Sequence, residues 1–471
     1  MELRFRGGDG RLVEIQRGGA MITRASGPRV VIVICDSLRA DLIDPALTPF
    51  LAELAERAAG FTAHRSVFPS TTRASAASIA TGCRPARHGL LGNTMALDEG
   101  EGLVCRSAGH PDFPDRMRRA TGRTLQVPTL AERLRWHGET SVSCANVSPG
   151  AAYFQDPDGH GFVYHAAGSY GPGRRPVDDP SSAALQKGLA GDRAMTERFC
   201  AEILEERGPS LAIMWLSEPD YTGHHSPLGS PQHRTAIAGA DQCARQVFDT
   251  VRRLDPGGDD ILFIAGSDHG METVAHSIDL DELLIGAGLK QGPGSRDVVV
   301  APNGTAATLY FAEPDGDLVP RVARFLASEN WVGEVFVGDK LNSVGLPTRS
   351  AMRVAVTLAG EDRENPHGVR GYCPIVQDPA DNESKIGFGQ HGGLGPNEQR
   401  PFLMIEGGGF APGPRRAPTS LVDIAPTVLR HLHMDHDDMD GRALPRGADR
   451  PDSHPAVPRS KTIFVRRAVR G

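Results

Sequence analysis

The sequence has no run of five or more basic residues, no Cys-x-x-Cys pair and no apolar stretch longer than a single strand. The first absence removes the charged track that a nucleic-acid polymer would need, and the formal net charge of −7 is mild and spread along the chain. The second leaves no zinc knuckle and no dithiol switch. The 7 cysteines (Cys35, Cys83, Cys105, Cys144, Cys200, Cys243 and Cys373) are odd in number and scattered, and read as reduced, largely buried small residues. The third excludes a membrane-spanning helix, because the run from Val30 to Cys35 falls far short of the roughly 20 apolar residues a span needs. Residues 1–10 also lack the apolar stretch of a secretory signal, so the cytoplasm is the expected compartment.

What is present is the material of a large globular enzyme. The 471 residues suffice for one α/β domain with insertions or for two ordinary domains. Hydrophobic residues make up 39% and charged residues 23%, which excludes a disordered or fibrous chain. The 55 glycines and 36 prolines point to many tight loops on a rigid scaffold. A homo-oligomer is compatible with this composition.

Arg29-Val-Val-Ile-Val-Ile-Cys-Asp36 is a continuous β-branched run of the kind that forms a strand buried on both faces, and it ends on an acid. Two more apolar runs stop at polar chemistry: 211–216 before Ser-Glu-Pro-Asp220, and 261–265 before Gly-Ser-Asp-His269. Helical patterns lie between them, at 192–207 and 233–254, and another opens at Thr48-Pro49. This alternation predicts an α/β fold with a mostly parallel central sheet and helices on both faces, its ligands outside the carboxyl ends of the strands. Residues 1–26 are expected to form an N-terminal extension, with a hairpin at 11–16. The catalytic core is assigned to 27–300 and 386–450, with 96–190 as an irregular insertion or lid. A small α+β cap insertion is assigned to 301–385 and a tail to 451–471. Within the cap, 306–311 and 331–337 read as strands and 318–328 as a helix. The main sheet resumes at 401–405, and 419–431 supplies a closing helix.

A pair of catalytic divalent cations needs carboxylates and imidazoles gathered from several strand ends. Four places offer them: Asp36; Asp220 and His224 in one loop, where Gly223 lets the backbone turn; Asp268-His269; and His391 in Gly-Gln-His-Gly-Gly393. Each alone has an ordinary reading as a helix cap or a loop residue; their conjunction carries the inference. A nucleophile is offered by Ser70-Thr-Thr72, which precedes the small residues from Ala74 to Ala80. That stretch suits a tightly packed helix whose N-terminus favours negative charge. The competing reading is that these hydroxyls only cap the helix.

The order of Asp36, Phe-Pro-x-x-Thr72 leading to Thr81-Gly82, Glu-Pro-Asp220-x-x-x-His224, Asp268-His-Gly-Met271 and His391-Gly-Gly resembles the alkaline phosphatase superfamily, and within it the nucleotide pyrophosphatase/phosphodiesterase branch. The tail Thr419 to Thr427 followed by Asp440-Gly-Arg442 is similar to the same superfamily. The resemblance implies an alkaline phosphatase-like fold that cleaves a phosphodiester or pyrophosphate-type bond in a small-molecule phosphorus ester. It implies that Asp220, His224 and His391 hold one Zn2+ and that Asp36, Asp268 and His269 hold a second, with Thr72 bridging towards it. Another divalent ion such as Mn2+ is an alternative. Thr72 is preferred to Thr71 because the family's nucleophile stands nine residues before the Thr of its Thr-Gly pair. A covalent phospho-threonine would form by in-line attack and be hydrolysed from the opposite side.

Where the branch follows its nucleophile with Phe-Pro-Asn, this chain has Arg73-Ala-Ser75. Arg73 and Ser75 are therefore candidate substrate contacts, together with Asn93 in His88-Gly-Leu-Leu-Gly-Asn93; a solvent-facing helix arginine is the plainer reading of Arg73. Cys83-Arg-Pro-Ala-Arg87 matches the sulfatase pattern Cys-x-Pro-x-Arg, but it follows the Thr-Gly pair instead of starting the helix that leads to it. Gly407-Gly-Gly409 reads as a turn, since no Gly-Lys-Ser/Thr follows. A carbon–phosphorus hydrolase resembling phosphonoacetate hydrolase and a phosphomonoesterase are the alternative enzymes, and a metal-binding pseudo-enzyme is the alternative outside catalysis.

Overall fold

The structure is a computed structural model that describes residues 25, 27–381 and 383–447. The N-terminal hairpin and the C-terminal tail expected from the sequence lie outside the described residues. Among those described, a 10-stranded sheet forms the centre. Five of its strands position the site: β1 (Arg29–Cys35), β2 (Ser141–Ala145), β3 (Leu211–Leu216), β4 (Ile261–Gly266) and β5 (Leu403–Glu406). They lie side by side in the order β5, β4, β1, β3, β2. β1 pairs in parallel with both β3 and β4, and β3 in parallel with β2. β5 runs antiparallel to β4.

The four parallel strands therefore end on one rim, which brings Asp36, Asp268 and the loop carrying Asp220 to the same edge. β1, β3 and β4 are buried almost throughout, as their unbroken apolar sequences require. Alternate residues of β1 face opposite layers. Val30, Ile32 and Ile34 pack towards the helix Ile424–His431, and Val31, Val33 and Cys35 towards the long helix Pro231–Leu254. The α/β architecture with helices on both faces is thus the observed one.

The segment 96–190 is not an irregular insertion. It supplies β2 and three further strands that extend the main sheet beyond it, Phe162–Tyr164, Ser169–Gly171 and Arg175–Val177. β2 reads Ser-Val-Ser-Cys-Ala, too short and too polar to stand out as an apolar run, and its burial comes from its neighbours. The stretch expected to be helical from 192 to 207 is an α-helix over Leu189–Arg198 that continues as a π-helix over Phe199–Arg207. The 419–431 stretch is helical only from Leu421, after a two-residue strand.

Within 301–385 the expected strands and helix are present. Val298–Asn303, Ala306–Phe311, Met352–Leu358 and Val332–Val337 form an antiparallel four-stranded sheet against which the helix Leu318–Ser328 packs. This unit is tied to the core on two sides. Arg370–Val376 pairs in parallel with Glu272–Ile278, and Asn303 Oδ1 accepts the Asn93 N–H at 2.6 Å. All seven cysteines are free, and six are buried. No helix among the described residues is long and apolar enough to cross a membrane.

Candidate active site

Helix α1 (Thr72–Thr81) is buried along nearly its whole length, which its alanines and serines allow without strain. Thr71 is its N-cap residue and makes no side-chain capping bond; its hydroxyl is buried and has no partner among the described residues. Thr72, at the first helical position, instead places Oγ1 3.2 Å from Nε2 of His269. Simple capping is therefore not what these hydroxyls do.

The six expected ligands fall into two groups, Asp220 with His224 and His391, and Asp36 with Asp268 and His269, the ligand atoms of each group lying within 4.8 Å of one another. In the first group Asp220 Oδ1 is 3.3 Å from His224 Nε2 and 3.6 Å from His391 Nε2. In the second, His269 Nε2 is 3.1 Å from Asp268 Oδ2 and 3.6 Å from Asp36 Oδ1. Ligands about 2.1 Å from a tetrahedral zinc ion stand about 3.4 Å from each other, so these spacings suit a shared ion. The rings of His269 and His391 stack with centroids 3.7 Å apart, joining the two groups into one centre.

The side chains are held for this purpose. Each histidine donates its Nδ1–H to a backbone carbonyl: His224 to Gly389 at 3.0 Å, His269 to Gly270 at 3.0 Å and His391 to Ser70 at 2.8 Å. That bond fixes the tautomer and leaves the Nε2 lone pair facing the centre. Asp36 accepts the Trp215 Nε1–H on Oδ2 at 3.0 Å, and Asp268 accepts the Ser37 N–H on Oδ1 at 3.1 Å. The other oxygens, Asp36 Oδ1 and Asp268 Oδ2, are buried without a hydrogen-bond partner, as is Asp220 Oδ1. Buried carboxylate oxygens left bare carry a heavy desolvation cost. All three point at imidazole nitrogens that have spent their own proton elsewhere, so the donor set fits divalent cations.

Electrostatics agree. Burial, and then the charges of Asp268 and Asp220, raise the Asp36 carboxyl well above its ordinary value. Burial acts the same way on Asp220, but the His224, His391 and His269 imidazoles outweigh it and draw that carboxyl down. Burial pushes His391 well below the usual imidazole value, aided by His269. The second group is fully buried, whereas Asp220 and His224 are half-buried, so the centre opens on the Asp220 side.

That opening is a cleft of about 140 Å³. Thr72, Arg73 and Asn93 line it, as do Asn146, Ser148, Lys187 and Tyr221. Asn93 Oδ1 accepts the Arg73 N–H at 3.3 Å, which leaves the Asn93 amide hydrogens for a ligand. Arg73 is half-buried and not a free surface arginine, its Nε donating to Ser148 Oγ at 2.9 Å. Ser75 does not belong to the cleft. It is 0% exposed, one turn further into α1, and its hydroxyl has no partner. Of the two candidates that follow Thr72, Arg73 thus faces the cleft and the serine does not.

Asn146, Lys187 and Asp192 were not legible as site residues. Asn146 follows the inconspicuous β2, and Lys187 sits in a bend with no spacing signal. Asp192 is 0% exposed and accepts the backbone N–H of Ser217 and of Glu218, both at 3.0 Å, so it anchors the loop that presents Asp220. His391 is anchored similarly. Ser70 N–H donates to the Gly392 carbonyl at 3.0 Å, and a Cβ at Gly392, whose φ is +135°, would lie 1.7 Å from the Asn303 carbonyl oxygen. Cys83 is 1% exposed, and its neighbours Arg84 and Arg87 both bond Asp440, so the sulfatase-like pattern serves as a structural clamp.

The family described as type I phosphodiesterase / nucleotide pyrophosphatase has a model that matches residues 30–329. No protein of curated function matches the sequence. Among solved structures, an inactive variant of murine ectonucleotide pyrophosphatase / phosphodiesterase 5 in complex with AMP is similar at 16% identity, covering 90% of this chain and 97% of its own, with a TM-score of 0.62. The human protein of that name matches at 16% identity over 88% of this chain and 97% of its own, with a TM-score of 0.60. Phosphonoacetate hydrolase from Sinorhizobium meliloti in complex with phosphonoformate matches at 17% identity over 88% of this chain and 98% of its own, with a TM-score of 0.58. At these identities the structural likeness speaks for the fold.

Proposed function

The chain belongs to the type I phosphodiesterase / nucleotide pyrophosphatase family and is a phosphoric ester hydrolase, and from that premise we propose that it cleaves a phosphodiester or pyrophosphate-type bond by transferring the phosphoryl group to Thr72. The observation that carries the reading is the placement of Thr72 Oγ1 beside two groups of ligand atoms whose bare carboxylate oxygens face imidazole nitrogens. Two divalent cations, zinc by the donor set, would be held by Asp220, His224 and His391 and by Asp36, Asp268 and His269, and would polarise the attacking hydroxyl and neutralise charge on the leaving oxygen.

The chain's own groups do the rest. α1 directs its N-terminus at the reacting centre, where the helix dipole favours a Thr72 alkoxide and the phosphoryl group it attacks. Asn93 offers its amide hydrogens, and Arg73 a charged donor, to non-bridging oxygens. In the first step a bond forms from Thr72 Oγ1 to phosphorus as the bond to the leaving group breaks. In the second, water attacks the phospho-threonine and returns the hydroxyl.

Thr72→Ala should abolish turnover while the protein keeps close to two zinc ions per chain by elemental analysis. Retained activity would remove Thr72 as nucleophile. A panel of an aryl phosphodiester, an aryl phosphomonoester, a nucleotide pyrophosphate, phosphonoacetate and an aryl sulfate on metal-replete protein should rank a diester or pyrophosphate first. Turnover of none of them by protein that holds its metals would mark a pseudo-enzyme.

A further inference from the structure

Arg73 and Lys187 are two cations that line one cleft. Among the described residues neither makes an ion pair with a carboxylate and Lys187 makes no hydrogen bond, while the Arg73 guanidinium donates to the Ser148 hydroxyl. Room is kept for it, since a Cβ at Gly109 would lie 2.7 Å from Arg73 Nη2. Burial lowers the Arg73 guanidinium against the pull of Asp220 and Asp36. Partial burial of its ammonium end, and then the Arg73 charge, hold Lys187 below its ordinary value, although the residue as a whole is exposed. Two cations that line one cleft and act on each other's charge stay uncompensated until something negative joins them.

The metal ligands do not complete them. With two divalent cations bound, the three carboxylates would leave the centre with one positive charge, and Arg73 and Lys187 would raise it to three. A diester phosphate brings a single negative charge.

We propose that Arg73 and Lys187 form a subsite for a second anionic group on the substrate, a carboxylate or a phosphate carried on the arm that does not react. The planar guanidinium suits either group through paired N–H bonds, and the ammonium adds a mobile point charge at the mouth. The natural substrate is then an acidic molecule with two anionic centres. A neutral-armed diester meets the same metals and nucleophile but leaves both cations unpaired. This inference rests on the phosphoryl-transfer reading of the centre.

The test is binding of three phosphonates to zinc-loaded Thr72→Ala protein by titration calorimetry, with zinc content measured before and after. Methylphosphonate carries one anionic centre; phosphonoacetate adds a carboxylate and propane-1,3-diphosphonate a second phosphonate. At least one of the two-centred ligands should bind about 10-fold to 100-fold more tightly than methylphosphonate, and which one does so assigns the second group. The advantage should fall to near unity when Lys187→Gln, or separately Arg73→Gln, is added. Equal affinity for all three ligands would overturn the subsite while leaving the metal centre intact. An advantage that survives both substitutions would remove these two residues from it. Failure of every phosphonate to bind protein that holds two zinc ions would sink the phosphoryl-transfer reading, and the subsite with it.

Discussion

His391 is the residue on which the two ligand groups meet, since it shares Asp220 with His224 and stacks on His269. His391→Ala should lower the zinc content measured by elemental analysis and cut kcat/KM at least 100-fold; a fully metallated, active variant would take it out of the centre. Asp192 tests orientation instead of ligation. It touches no ligand atom, but an asparagine there keeps a single acceptor oxygen and sets an NH2 donor against the other backbone N–H, so one of the bonds from Ser217 and Glu218 is lost and the Asp220 loop loses its register. Asp192→Asn should weaken zinc affinity about 10-fold to 100-fold, the range seen when partners of ligands are removed. The readout is competition with a chromogenic chelator, and an unchanged affinity would show that the loop holds its shape without it.

The element that matters most is α1, which carries the proposed nucleophile at one end and is clamped at the other. Gly82, at its C-terminus, accepts the N–H groups of Asp440 and Gly441 at 3.1 and 3.0 Å. Beside it, His88 is 0% exposed, its Nδ1 accepts the Leu90 N–H at 3.1 Å, and its Nε2 lies 3.0 Å from Ser78 Oγ within α1. Burial pushes His88 down to about 3, and it does the same to His64. Both imidazoles are thus neutral in the fold and take up a proton in the unfolded chain below about pH 6.5. Their stabilising contribution is complete above that value and is lost as the pH falls from about 6.5 towards 3, by at most about 1.4 kcal/mol per pH unit for each. Urea unfolding midpoints should decline over that window, and His88→Gln should flatten the decline. An identical slope in the variant would deny His88 this role. Ala77 is also 0% exposed, inside α1. Ala77→Leu should cost about 1–3 kcal/mol by overpacking, read as a lower urea midpoint with unchanged slope.

For the whole molecule, the candidate centre is where uncompensated negative charge is gathered. The buried Asp36 and Asp268 and the half-buried Asp220 converge from strand ends distant in sequence, and bound cations would relieve the repulsion that Asp268 and Asp220 exert on Asp36. Chelation should therefore lower the thermal midpoint by several degrees and restoration of zinc should recover it, because a ligand at 100 times its Kd adds about 2.7 kcal/mol to the native state. Asp36→Asn should narrow the gap between the metal-free and metal-loaded midpoints in scanning calorimetry. A midpoint indifferent to chelation in the native protein would mean that the fold does not depend on this centre.

Much of this arrangement was written in the chain. Apolar runs that end on Asp36, Ser217-Glu-Pro-Asp220 and Asp268-His269 marked the buried parallel strands and four of the six candidate ligands, because a strand buried on both faces can end in polar chemistry only at its rim; His224 and His391 lie outside those runs and rest on their loop motifs and the resemblance. What tertiary structure alone decided lies between those runs. β2, with its serines and cysteine, is a strand because β3 and its further neighbour supply the hydrogen bonds that its own composition does not demand. Ser75 is sealed inside α1 and Arg73 turned into the cleft by helical phase and by the space left at Gly109. Lys187 lines the same cleft as Arg73 only because the chain between β2 and β3 folds back over the rim. Periodicity and burial are local in sequence and can be read there; the gathering of a helix arginine and a loop lysine around one cleft is a fact of packing.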